Sequence, residues 1–492
     1  MSTITLRPDW IAEAKPFRHT WTGVVNIDQF RWMVRRDTQE QLAMAVTELG
    51  ARHVRAVGMF DDEMRFFTLT PTDWKDAQRH PRINFQLIDY VIDSLQDLGL
   101  APMITTCFMP SALAAGHKTV FTTKGRISLP KDWKKWEGLI QSTVRHCIER
   151  YGIDVVRQWY FEVWNEPNLK DNFFEGTYDD FLLLWQATQS AIKNVDASLR
   201  IGGPSTARAE WVEPFLAWTR NANCEPDYII LHIYNNDSEF AALSPFDGPQ
   251  EERTARSPNF ASGVITGTRR LLDKLGFKGE VHWNEWGRTW HPTDPLRESP
   301  VEAAWIVKTM AEVSQLGDRF AYWCLSDIYD QVGYVSSTFE QHYGMLNVQG
   351  LRKPSWHAHQ LLSRLGTQRR PAAITCPRND IGAVVTGDSD HGAILLYGYD
   401  SEPLHESVTI HFPREAVNKA LTLTALNSHE NNTIALWNDM GTPPYLTRKQ
   451  LAELQSSNRL TFRPQKALIE SSGDGGRASV PVEFPGLLLA EW

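Results

Sequence analysis

Hydrophobic positions along this chain come in two textures. From Trp21 to Leu365, short continuous apolar runs alternate with longer segments in which apolar residues recur every three or four positions. The runs Gly23–Ile27, His53–Met59, Pro102–Phe108, Trp159–Asn165, Arg200–Gly203, Tyr228–Tyr234, Glu280–Glu285 and Arg319–Ser326 read as eight strands. Most lack polar alternation, which suits parallel strands covered on both faces. Between them, Phe85–Leu98 places Leu87, Ile88, Val91, Ile92 and Leu95 on one helical face before Gly99. Asp132–Tyr151 repeats that spacing and stops at Gly152, and Ser299-Pro300-Val301-Glu302 predicts a capping box opening a further helix. Eight such β-α units predict an α/β fold of the (β/α)8 TIM-barrel class. A doubly wound open sheet is the alternative, weakened because no Gly-x-Gly-x-x-Gly turn follows the first strand.

After Leu365 short alternating runs are punctuated by Pro and Gly: Ala383–Thr386, Ala393–Tyr399, Val408–Phe412, Ala420–Ala425, Leu460–Phe462 and Leu487–Trp492. They predict an accessory β-sandwich. Pro443–Gln455 reads as a single helix inside it, Ser471–Arg477 as an exposed loop, and Thr3–Leu6 as one strand. The expected division is therefore residues 1–15, a barrel over 16–365 and a sandwich over 366–492.

Composition changes this picture little. The 492 residues are 42% hydrophobic and 22% charged, and the net charge of −9 argues against nucleic acid or an anionic membrane as partner. The amino terminus lacks a cationic segment followed by an apolar run, and no stretch approaches a membrane span. Cys107, Cys147, Cys224, Cys324 and Cys376 are odd in number and scattered, so they read as free thiols of a cytoplasmic protein. No metal-ligand spacing and no cofactor motif is present, and a homo-oligomer is left open. The unusual number is 19 Trp. Many are core residues, but indole faces also stack on the apolar faces of sugars.

Candidate chemistry sits at two strand ends. In Trp159–Asn168, five of the first six residues are aromatic or β-branched, and Pro167 then ends the ladder. Glu166 thus closes the fourth strand, where a barrel builds its active site. Glu285 closes the seventh, flanked by Trp283, Asn284 and Trp286. Two carboxylates on converging strand ends suit glycoside hydrolysis, in which one group protonates the leaving oxygen and the other attacks the anomeric carbon; a separation of ~5–5.5 Å is expected for the retaining route. Asn165 can donate to a sugar 2-hydroxyl. His232 and Tyr234 end the sixth strand, and Tyr234 can donate to the nucleophile; the plain alternative is that both are core residues. Tyr322 and Trp323 can floor the pocket. Glu162, deeper in the fourth strand, reads as a buried structural group, and Asp61, Asp62 and Glu63 as either a solvated loop or a substrate rim.

The run Trp159-x-Phe-Glu-x-Trp-Asn-Glu-Pro-Asn168 resembles the acid/base signature of glycoside hydrolase family 39, the β-xylosidase and α-L-iduronidase family. Segments around Arg55, Gly58, Asp61 and Asp62, around Phe108, Met109, Pro110 and Leu113, and at Gly202-Gly203-Pro204 and Lys353-Pro354 are similar too. The resemblance implies Glu166 as acid/base and Glu285 as nucleophile, with no cofactor and a glycoside as partner. It implies that a strand from the chain's start joins the sandwich. It also places Phe108, Trp286 and Asp330 with the substrate-binding residues. Val57 stands where the xylosidases have His, Tyr329-Asp330-Gln331 where they have Phe-Glu-Glu, and Phe339-Glu340-Gln341-His342 where they have Phe-His-Gly-Gly. Those positions grip the terminal sugar, so the expectation is retaining exo-glycosidase chemistry of β-xylosidase type, with arabinoside or glucoside as the alternative sugar. A catalytically silent carbohydrate-binding protein is the alternative from another class.

Overall fold

The computed structural model describes residues 4–68, 82–240, 257–331, 333–388, 391–461, 468–473 and 475–492. The chain forms two compact units, one of Gly23–Gly287 with Leu316–Tyr334, the other of Met1–Thr22, Arg288–Gln315 and Val335–Trp492.

The first unit carries eight parallel strands paired in sequence order: Val24–Gln29, His53–Val57, Ala101–Thr105, Tyr160–Glu162, Arg200–Thr206, Tyr228–Tyr234, Glu280–Gly287 and Arg319–Tyr322. This is the predicted TIM barrel. Nearly every strand residue is buried, as parallel strands lined on both faces must be. Val24, Met103, Tyr160, Tyr228, Ile230 and Ala321 pack together inside. Between the eighth strand and the first, one side chain does much of the closing. The Asn26 side-chain amide donates to the carbonyls of Asn284 (2.8 Å), Ala321 (3.2 Å) and Tyr322 (3.3 Å), and the Asn26 backbone carbonyl accepts from Leu325 N (2.9 Å).

Several predicted elements are shorter than their apolar runs. The fourth strand is only Tyr160–Glu162, because Trp164 (φ 64°) and Glu166 (φ 46°) turn the chain out of the sheet. The eighth stops at Tyr322 rather than Ser326. Helices follow their patterns more closely: Gln86–Asp97 is followed by Gly99 at φ 74°, and Trp133–Tyr151 is N-capped by Asp132 and ends at Gly152 (φ 86°).

The second unit contains two sheets around one core. The first runs in the order Ala372–Thr375, Ile4–Pro8, Leu404–Phe412, Gly475–Phe484, Glu470–Ser472. Ile4–Pro8 pairs parallel to Leu404–Phe412, with Ile4 opposite Val408. The second runs Lys15–Pro16, Gln368–Arg370, Ile381–Gly387, Gly392–Gly398, Gly486–Glu491, Thr422–Leu426. Ile4, Leu6, Val385, Ile394, Val408, Ile410, Val480 and Leu488 fill the space between them, the alternating inward positions of a sandwich. Where an exposed loop was expected over 471–477, Glu470–Ser472 pairs antiparallel with Gly475–Phe484, Ser471 opposite Gly476. The single helix expected over 443–455 is instead Arg448–Ser457, capped by a Thr447/Gln450 box, and a second helix, Thr433–Asp439, precedes it. Leu460 and Thr461 are not strand; Phe462 and Thr3 lie outside the described residues. The capping box expected at Ser299 does not form. Ser299 caps Val301 N, and the buried Glu302 carboxylate turns to Arg288 (2.7 Å), since a buried charge needs a partner more than a helix end needs a second cap.

Candidate active site

The barrel's polar interior is built outward from Arg55. On the second strand, in an otherwise apolar run, this side chain is fully buried. Its Nε and Nη2 donate to both oxygens of Glu162 (2.7 and 2.9 Å), a planar two-point pairing that Lys could not make. Thr105 Oγ1 donates to the same carboxylate (2.8 Å). Burial pushes the Glu162 pKa up, but Arg55 outweighs it and holds the group below its ordinary value. What remains of the guanidinium faces two other groups. Nη2 donates to Asn165 Oδ1 (2.7 Å), leaving the Asn165 Nδ2 donor for other use, and Nη1 donates to Glu285 Oε2 (3.2 Å).

Glu285 ends in a different environment. Tyr234 Oη donates to its Oε1 (2.7 Å), and His232 Nδ1 stands 3.5 Å from Oε2. Burial raises its pKa and the Glu166 charge adds to this, while Arg55 and the Tyr234 hydroxyl pull it back. Glu166 has fewer such anchors. His232 Nδ1 lies 2.9 Å from Glu166 Oε1, and burial pushes the Glu166 pKa up to about 7. The His232 ring is neutral, its pKa driven down to about 4 by burial. Its Nδ1 faces Glu166, and its Nε2 lies 3.5 Å from Arg55 Nη2.

Non-glycine residues with positive φ cost about 1–3 kcal/mol each, and the turn that presents Glu166 contains two, Trp164 and Glu166. Local bonds hold it. Trp164 Nε1 donates to Phe173 O (2.9 Å), Glu166 N to Ser205 O (2.8 Å), and Asn168 exchanges two 2.9 Å bonds with the Ala207 backbone.

Of the residues singled out in the sequence, Glu166, Glu285, Asn165, His232 and Tyr234 converge. Phe108 is fully buried, edge-on to Trp164 (5.8 Å) and Phe121 (5.8 Å). Trp323 lies just past the eighth strand, its backbone N bonded to Trp286 O and its ring edge-on to Tyr329 (6.3 Å). Trp286 is fully buried and packs edge-on against Phe320 (6.2 Å) and Tyr322 (5.7 Å). Asp330 is engaged by Arg31 Nη2 (2.7 Å) and Thr122 Oγ1 (2.7 Å). In the second unit, Phe339 joins Leu351, Ile434 and Leu454 in a small core, and Glu340 accepts from Ser336 N (2.8 Å).

Two residues escaped the sequence reading of the site. Arg55 had a signal: an arginine inside an apolar strand must find buried partners. Asp237 had none. Asp61, read from the sequence as solvated loop or substrate rim, is no solvated group: it is buried and accepts from Phe108 N (3.3 Å), and burial raises its pKa to about 7. Asp237 accepts from Tyr234 N (2.8 Å), and burial takes it up to about 8.

One ligand atom each from Glu166, His232 and Glu285 all lie within 4.8 Å of one another, close enough to share a cation. A cation already serves this cluster, since the Arg55 guanidinium touches both Glu285 and His232.

A parallel barrel whose mouth gathers paired carboxylates around a buried arginine has the make-up of a barrel glycosidase. The chain belongs to Glycosyl hydrolases family 39, whose profile matches residues 5–469. It is 32% identical over 445 residues to a β-xylosidase of Caldicellulosiruptor saccharolyticus, covering 89% of this chain and 88% of that one. A β-xylosidase of Geobacillus stearothermophilus is 28% identical over 92% of this chain and 88% of its own. Among solved structures, the GH39 enzyme from Xanthomonas axonopodis pv. citri superposes with a TM-score of 0.84 at 26% identity, covering 100% of this chain and 97% of that chain. The chain is thus a glycoside hydrolase similar to the β-xylosidases. Among the described residues no helix is long and apolar enough to cross a membrane.

Proposed function

We propose that this enzyme is a retaining exo-glycosidase of β-xylosidase type, releasing terminal sugars from plant-type oligosaccharides by double displacement. The observation that carries this reading is the approach of Glu166 and Glu285, each offering an oxygen within 4.8 Å of the other's. Inverting enzymes hold their carboxyl groups ~6.5–9.5 Å apart to admit a water, whereas retaining ones hold them ~5–5.5 Å apart.

The environments divide the labour. Glu166, with its pKa near 7, keeps a proton at neutral pH. His232 Nδ1, 2.9 Å from its Oε1, orients this carboxyl. Glu285, supported by Arg55 and Tyr234, is the carboxylate that attacks the anomeric carbon. As that bond forms, the bond to the leaving oxygen breaks and Glu166 supplies the proton. Glu166, now ionised, takes a proton from water, and the water oxygen displaces Glu285 from the same carbon, so configuration is retained. Asn165, its Oδ1 fixed by Arg55, presents Nδ2 to the 2-hydroxyl. Trp323 floors the sugar. The similarity to β-xylosidases supports xylose. The departure at Val57 favours arabinose or glucose as a second reading.

The test has two parts. Glu285→Ala should abolish turnover, and azide should restore it with a glycosyl azide of inverted configuration; normal activity in that variant sinks the assignment. Glu166→Ala should spare the first step for substrates with good leaving groups, and equal loss for every leaving group contradicts its role as acid. Nitrophenyl xyloside, arabinoside, glucoside, galactoside and iduronide, assayed alongside calorimetry, identify the sugar; binding without turnover on all of them favours a silent carbohydrate-binding protein.

A further inference from the structure

Loops following the first, second, third and eighth strands meet in one polar knot. Asp28, buried near the end of the first strand, accepts from Trp32 Nε1 (3.1 Å), Asp330 N (3.2 Å) and Gln331 Nε2 (2.6 Å). Arg31 donates from Nη2 to Asp330 Oδ2 (2.7 Å), from Nη1 to Glu63 Oε2 (2.8 Å) and from Nε to Gln29 Oε1 (2.7 Å), and its guanidinium lies 4.0 Å from the Trp32 ring centroid. Thr122 Oγ1 donates to Asp330 Oδ1 (2.7 Å). Both oxygens of Asp330 are therefore held by loop partners. Gln331 is held at both ends of its amide, because its Oε1 accepts from Tyr329 Oη (2.7 Å). Tyr329 is buried and its ring stands edge-on to Trp323.

We infer that Asp28, Arg31, Asp330 and Gln331 are positioning residues, a clamp that fixes Tyr329 and through it Trp323, and that Asp330 does not itself bind the sugar. This rests on the reading of Trp323 as the floor of the sugar site. Side chains of Arg31 and Asp330 are only 21% and 19% exposed, so their pairing is partly shielded from water and its geometry is fixed at both oxygens. A sugar hydroxyl seeking Asp330 would have to compete with a guanidinium. The clamp instead makes the eighth-strand loop a rigid extension of the barrel wall, a supporting shell of the kind that keeps a binding group in register.

The full-length enzyme tests this with Arg31→Ala, Asp330→Ala and the double variant, assayed on whichever nitrophenyl glycoside it turns over best. Each single change should raise KM about tenfold with kcat within about twofold, and the double should be no worse than the weaker single, because coupled partners are not additive. Competition by the free product sugar should weaken in parallel. Arg31→Lys, which keeps the charge, should recover part of the loss. Thr122→Val removes one donor without opening the loop and should give a smaller KM effect of the same kind, which keeps the test alive should an alanine variant fail to fold. Additive losses, or a loss on Asp330→Ala alone that follows one sugar hydroxyl in deoxy analogues, overturn the clamp and make Asp330 a sugar ligand. Unchanged KM in all variants also overturns it. Either result leaves the two-glutamate reading standing so long as Glu285→Ala is inactive and rescued by azide.

Discussion

Glu280 and Glu285 begin and nearly end the same strand, yet their environments drive them in opposite directions. Glu280 is half exposed. His282 Nε2 lies 2.7 Å from it, Tyr160 Oη donates at 2.9 Å, and Arg319 and Arg200 stand 3.9 and 4.0 Å away. The His282 hydrogen bond and these neighbours take its pKa down to about 2 against the opposing effect of burial. Glu285 has an arginine and a tyrosine too, but it is largely buried and a second carboxylate faces it, and its pKa rises. One residue type on one strand thus holds its proton loosely at the amino end and tightly at the carboxyl end. The lower end uses charge to close the barrel; the upper end keeps part of its charge unbalanced, which is what proton-transfer chemistry needs.

The largest expected effect breaks this symmetry outright. Glu285→Gln should lower kcat by about 10⁴-fold or more, whereas Glu280→Gln should leave it within about twofold. Comparable losses at both ends would falsify the contrast. Next comes Glu162→Gln. It leaves the Arg55 cation buried without its two-point partner, and breaking such a pair costs about 3–5 kcal/mol, readable as a shifted denaturant midpoint. A loss below about 1 kcal/mol would mean that Arg55 finds other support. Tyr234→Phe should be milder: losing a hydrogen bond to a charged group is worth about 1.5–3 kcal/mol, hence roughly 10- to 100-fold in kcat/KM.

Proton placement gives a pH signature. The acid must be protonated and the nucleophile ionised, so kcat/KM should be bell-shaped with an alkaline limb near pH 7 from Glu166. For stability the sign runs the same way. A carboxyl whose folded pKa is raised contributes favourably below its unfolded value and loses that contribution as pH rises through about 7. Glu166→Gln should therefore be stabilised relative to the parent only as pH climbs from about 4.5 to 7. A pH-independent difference in melting temperature would contradict this.

How much of this was legible beforehand depended on whether a feature was local. All eight barrel strands were visible as apolar runs because burial on both faces leaves no polar alternation to confuse. Glu166 and Glu285 were visible because Pro167 and the strand-end position mark them. Lengths were less visible: Trp159–Asn165 reads as one strand, but left-handed Trp164 and Glu166 are held by Phe173 nearby and by Ser205 on the next strand. Arg55 was visible as an anomaly whose partners were not, since Glu162, Asn165 and Glu285 come from two other strands. The Asp28–Gln331 contact, spanning most of the barrel's length in sequence, left no local trace at all.

The smallest expected effect lies at the amino end of the seventh strand. Glu280 has a folded pKa of about 2, below its ordinary value of 4.5. Its contribution to stability is fully present above the unfolded value and is lost as pH falls from about 4.5 toward 2, the reverse of Glu166. With a side chain 41% exposed, water screens most of it, so Glu280→Gln should cost about 1 kcal/mol or less at pH 7. That deficit should shrink toward zero at pH 2–3, while the benefit of Glu166→Gln, absent in acid, should grow toward pH 7. Denaturant curves for the two variants across this range should therefore diverge from the parent in opposite directions as pH rises. If both were destabilised alike, the two ends of the barrel would not differ in how they hold a proton, and the division between a closing end and a reacting end would fail.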